Sequence, residues 1–193
     1  MSNTVDMEPL LGFLRSYVTA SHETEVARYT EQDPKAFLPR IRRLEQFFAN
    51  GVSTGISASL PKFDDEDERA LFTAQAAQLV PPAIFKIKQW NHPREGVLYQ
   101  AYLDSSTPAK HTGYFESLLI RKQGDELKIV GRYTVCFACF ATGQYDGSRC
   151  PDCSGLGWNY LEGVKLTSFG TLEQTLRIQA PSFPSFIPEY NSD

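Results

Sequence analysis

The sequence predicts an α+β protein, with helices first and an antiparallel sheet after them. Two observations carry this. Up to Pro82 the apolar residues recur at helical spacing, and beyond it the chain reads as β-branched and aromatic runs parted by turn residues. A third observation adds a small module near the C-terminus: all four cysteines fall in the stretch CFACFATGQYDGSRCPDCSGLGW, from Cys136 to Trp158. The composition, 41% hydrophobic and 22% charged, is that of a chain able to bury a core.

The first helix is expected from Pro9 to about Thr30, on the spacing of Leu10, Phe13, Leu14, Tyr17 and Val18, fraying beyond Glu25. Asp33-Pro34 announces a second helix as a capping residue followed by proline. Pro39 interrupts its first turns, so its surer part runs from Pro39 to Asn50, with Ile41, Leu44, Phe47 and Phe48 as the buried stripe. Val52 to Leu60 alternates loosely and is expected to form an early strand. The acidic run Asp64–Glu68 then opens a third helix, where its charges complement the helix dipole.

The runs AIFKIKQW, GVLYQAYL, GYFESLLIRK and ELKIVGRYTV are expected as strands, the last two joined in a hairpin around Gln123 to Glu126. Residues 164–179 should supply one or two more, and the proline-rich tail after them is expected to be extended. The expected organisation is 1–135 as the helix-plus-curved-sheet domain, 136–160 as a cysteine knuckle, and 161–193 as C-terminal strands and tail.

Cys136-x-x-Cys139 and Cys150-x-x-Cys153 have the spacing of a four-thiolate zinc site, each turn aiming two sulfurs at one ion. Thiol–disulfide exchange, structural disulfides and catalytic zinc use the same residue types. No secretory signal is read at the N-terminus, so a cytoplasmic chain with reduced thiols is expected, and four thiolates leave no open position for catalysis. One structural zinc per chain is the expected cofactor.

The second cysteine pair resembles the Cys-x-x-Cys-x-Gly-x-Gly repeat of DnaJ-type chaperones in full, at Cys150, Cys153, Gly155 and Gly157. The first departs from it, with Ala141 where the first glycine should stand. The resemblance implies zinc ligation by the four cysteines. No His-Pro-Asp tripeptide occurs, so J-domain recruitment of a chaperone is not implied. The element order over residues 8 to 135 resembles the nuclear transport factor 2-like superfamily, which implies a sheet curved around three helices and a pocket at the wide end of the cone.

Net charge is −4, and between Cys136 and Gly163 the charged residues Asp146, Arg149, Asp152 and Glu162 sum to −2. A nucleic-acid partner is therefore not expected, nor a membrane, since no apolar run reaches spanning length. A protein partner is expected instead, with Phe137, Phe140, Tyr145, Trp158 and Tyr160 as candidate anchors on a zinc-stabilised, non-catalytic binding module of adaptor, chaperone-like or immunity type. The alternative is a small-ligand binder or an isomerase- or dehydratase-like enzyme using the cone pocket. Tyr17, Tyr99, Tyr114, Glu116 and Arg132 are the polar groups placed to line it.

Overall fold

A computed structural model describes residues 7–104 and 115–178. Tyr114 and the C-terminal tail lie outside the described residues. The chain divides into two compact units: residues 1–48 with 53–81, and residues 49–52 with 82–193.

The first unit is helical. Its helices are α1 (Glu8–Thr30), α2 (Pro34–Glu45) and α3 (Glu66–Ala76). Leu10, Leu14, Tyr17 and Val18 are buried along α1, which continues unfrayed to Thr30. The Asp33 side chain caps α2 by accepting from the Lys35 N–H, and Pro39 is carried inside the helix. The helix thus begins at Pro34, ahead of its expected secure portion, and ends at Glu45. At α3 the capping is reciprocal: Asp65 Oδ1 accepts from the Glu68 N–H and Glu68 Oε2 from the Asp64 N–H. The acidic run is therefore a helix start.

No strand forms between Val52 and Leu60. The hydroxyls there take the backbone donors a ladder would need. Ser53 Oγ accepts from the Gly55 N–H, Thr54 Oγ1 from Ile56 and Ser57 Oγ from Ser59. Ile56 and Leu60 of this loop pack instead against Ala27, Phe37 and Ile41.

The second unit is a sheet. Its strands are β1 (Ala83–His92), β2 (Gly96–Asp104), β3 (Phe115–Gln123), β4 (Glu126–Val135), β5 (Gln144–Tyr145), β6 (Ser148–Arg149), β7 (Trp158–Gly163) and β8 (Thr171–Arg177). Six of them form one antiparallel sheet in the order β7-β4-β3-β2-β1-β8, and β5 and β6 pair as a separate ribbon. The expected hairpin is present, with Gln123 opposite Glu126. Among the described residues no helix is long and apolar enough to cross a membrane.

Strand β7 has no counterpart in the sequence reading. It pairs with β4, placing Val135 opposite Trp158, so the cysteine stretch is the loop of a long hairpin. The chain then passes from one sheet edge to the other through residues 164–170, and Val164, Leu166 and Phe169 pack on the core of Phe85, Leu98, Tyr102, Leu119 and Tyr133. The Tyr133 hydroxyl clasps this connection. It donates to the Val164 carbonyl at 2.6 Å and accepts from the Leu166 N–H at 3.0 Å. Burial pushes this phenol up to about 12, which keeps it a neutral donor.

Candidate metal centre

Each half of the loop is a knuckle, and the two halves are built alike. Cys136 and Cys139 correspond to Cys150 and Cys153, fourteen residues on. In the first, the Thr142 N–H donates to the Cys139 carbonyl at 3.0 Å; in the second, Leu156 donates to Cys153 at 3.1 Å. The pairs are tied crosswise, Cys150 N–H to the Gly143 carbonyl and Cys136 N–H to the Gly157 carbonyl. Left-handed backbone recurs at matching positions: φ is 48° at Phe140 and 51° at Ser154, then 67° at Ala141 and 77° at Gly155.

The final glycine of each half lies against the other half. A Cβ on Gly143 would meet the Gly155 carbonyl oxygen at 2.3 Å, and one on Gly157 would meet that of Ala141 at 2.2 Å. Ala141, the departure from the repeat, holds its left-handed conformation while its methyl is buried in the sheet core beside Trp158. Burial of one methyl, worth about 0.8 kcal/mol, offsets most of a strain of about 1 kcal/mol.

This geometry brings the four sulfurs together. All four lie within 4.8 Å of one another and all four residues are buried. The Sγ···Sγ separations are 3.8 Å for Cys136–Cys150 and 3.6 Å for Cys139–Cys153. A tetrahedron with metal–sulfur bonds of about 2.3 Å has edges of about 3.8 Å, so the set fits a single ion. The cysteines are free thiols. The Gly157 N–H points at Cys153 Sγ from 3.2 Å, a donor that favours a thiolate.

Without a cation, burial pushes the Cys136 thiol up and the Cys139 thiol to about 12, where neighbouring thiols add to the effect. Backbone N–H groups of Cys153 and Asp152 hold Cys150 below the usual thiol range. A cation binding here therefore displaces protons from Cys136 and Cys139.

The expected aromatic anchors divide. Phe137, Phe140 and Tyr145 are 56, 50 and 57% exposed, and Tyr160 is 39% exposed. Trp158 is only 3% exposed and cannot anchor a partner: it is the first residue of β7, with its ring edge-on to Tyr102 at 5.0 Å in the sheet core. Tyr160 borders a cavity of about 730 Å³ beside the second knuckle, with Lys165 and Leu166.

The described members of the expected pocket set are divided between the two units. Tyr17 belongs to the helical unit, where its ring packs edge-on to Phe47 and Phe48. Tyr99 and Glu116 share a sheet face but sit at opposite ends of β3's pairing with β2, Tyr99 beside Ile120 and Glu116 beside Leu103. Glu116 is held by Arg132 on the neighbouring strand, with Nε donating at 2.6 Å and side chains only 13 and 15% exposed. The two described cavities are lined by other residues.

The register puts Glu162 opposite Arg132 as well. Glu116→Gln therefore leaves the guanidinium an acidic neighbour, and its expected cost is about 1–2 kcal/mol rather than the larger penalty of a naked buried charge. Urea denaturation measures it; an unchanged midpoint means that the pair does not hold β3 to β4.

His92 ends β1 and ties down the turn after it, its Nδ1 accepting from the Arg94 and Glu95 N–H groups. Sequence reasoning missed Tyr133 as the clasp and Thr142, whose hydroxyl donates to the Cys139 carbonyl at 2.6 Å. Tyr133 carries no local signal, since its partners Val164 and Leu166 are brought to it by folding, whereas Thr142 bonds a carbonyl three residues back. The resemblance to the nuclear transport factor 2-like group included an early strand that is not formed. Comparison with family models, curated proteins and solved structures finds no match to this chain.

Proposed function

We propose that Cys136, Cys139, Cys150 and Cys153 hold one structural Zn²⁺, and that the chain is a non-catalytic binding module whose metal-braced loop presents aromatic side chains to a protein partner. One observation carries this reading: four buried sulfurs at tetrahedral spacing close the coordination sphere. A closed set leaves no position for a metal-bound water or substrate, so the ion supplies order rather than chemistry. A soft, all-sulfur donor set favours zinc over harder divalent ions.

The loop needs such a brace. Of residues 136–157, Ala141 and Leu156 are the described ones that pack on the sheet core. Metal binding of about 10–16 kcal/mol is ample to order a loop of this kind.

Elemental analysis of the purified chain should find close to one zinc per molecule. Cobalt substitution should give the charge-transfer bands of tetrahedral thiolate coordination. Stoichiometric iron overturns the identity of the ion; a metal-free protein with paired disulfides overturns the brace itself.

A further inference from the structure

The two halves of the loop serve as controls for each other. They share left-handed backbone at matching positions and the turn bond to the second cysteine's carbonyl, yet differ in what they expose. Where the second knuckle carries Pro151 and Ser154, the first carries Phe137 and Phe140. The fold does not require these rings, because its other half is built without them. Burial does not account for them either: each leaves half or more of its surface exposed, and the described residue that packs on the cysteine cluster is Ala138. Phe140 also holds a bulky side chain at φ 48°, where the matching position uses serine. Tyr145, on the ribbon between the knuckles, is the third exposed ring of this half.

The loop that carries these rings is net negative, its charged side chains being Asp146 and Asp152 against Arg149. Asp146 follows Tyr145, and Asp152 lies in the second knuckle. The single cation of the loop, Arg149, turns its Nε to the Ser154 carbonyl at 2.6 Å. A divalent ion with four thiolates adds two further negative charges. Exposed aromatic faces in a negative field attract cations through both the field and the ring quadrupole.

We propose that Phe137, Phe140 and Tyr145 form the docking surface for a segment of another protein that carries arginine or lysine beside an apolar residue. This rests on the metal-braced loop described above. The apolar residue covers the phenylalanine rings, and the cation lies over an aromatic face, near Asp146 and the thiolate cluster.

The internal repeat also supplies the variant. F137S/F140S exposes small polar side chains, and serine already occupies the Phe140-equivalent position in the second knuckle. A phage-displayed library of nine-residue peptides is selected on the zinc-loaded full chain and counter-selected on the variant, with metal content and circular dichroism measured for both. Arginine or lysine next to an apolar residue should be enriched. A selected peptide should bind the variant about tenfold or more weakly, and lose a similar factor when its basic residue becomes glutamate.

Absence of enrichment over the variant overturns the proposal, as does enrichment of acidic peptides. Loss of metal from the variant also overturns it, by making the rings structural. A concentration-dependent dimer abolished in the variant identifies the occupant as a second copy and overturns it too. A wild-type chain that holds zinc yet fails the selection refutes this surface alone, whereas a metal-free wild type refutes the brace.

Discussion

Replacing Cys150 by serine is expected to abolish metal retention and to unfold residues 136–157, while β1 to β4 stay paired. The serine hydroxyl is a poor ligand, and the remaining three thiolates include two whose burial already favours the protonated form. Most of a binding energy of about 10 kcal/mol is lost with the ion. The loop cannot replace it, because the backbone bonds between its halves, such as Cys150 N–H to the Gly143 carbonyl, join segments that the ion holds together. Hydrogen exchange resolves the outcome by residue. Amides of Thr142, Cys150, Leu156 and Gly157 should exchange freely in the variant, and those of fully buried Leu119 and Ile129 should remain protected. Chelator treatment of the wild type should reproduce the same map. Unchanged protection in the loop, with full metal content, would show that Cys150 is not a ligand.

Gly157→Ala is expected to damage the site nearly as much, without touching a ligand. Its Cβ would lie 2.2 Å from the Ala141 carbonyl oxygen, and the residue stands at φ 78°. The clash is with backbone, which no rotamer change relieves, and the same glycine donates to Cys153 Sγ. The expected cost is at least about 3 kcal/mol, with a fall in metal affinity. Gly147→Ala is the matched control. It too has positive φ, 73°, but open space around it, so conformational strain alone should cost about 1 kcal/mol and leave metal affinity unchanged. Equal melting temperatures and metal affinities for the two variants would show that the reciprocal packing of the knuckles does not hold the site.

The contrast between these glycines marks how far local pattern reaches. Gly147, in the Asp-Gly turn of the ribbon, is legible from its neighbours. Gly157 is marked in the sequence as a position of the repeat, but that it lies against the Ala141 carbonyl of the opposite knuckle is set only by folding. Ala141 read as a defect of the first repeat, yet the sheet core receives its methyl. Trp158 read as a presented aromatic, because the six-residue strand that buries it begins directly after a glycine-rich turn. Val52 to Leu60 alternated like a strand, but local hydroxyls satisfied its amides before any ladder could.

The helices, the four central strands and the paired cysteines are legible in the chain read alone. These depend on interactions within a few residues: apolar periodicity, capping side chains, turn residues and the two-residue gap of each cysteine pair. That the cysteine stretch is a hairpin loop between β4 and β7, that its halves pack glycine against carbonyl, and that Glu116 is held by Arg132 emerges only on folding. Those depend on register and on contacts between segments distant in the chain, which spacing along one strand does not encode.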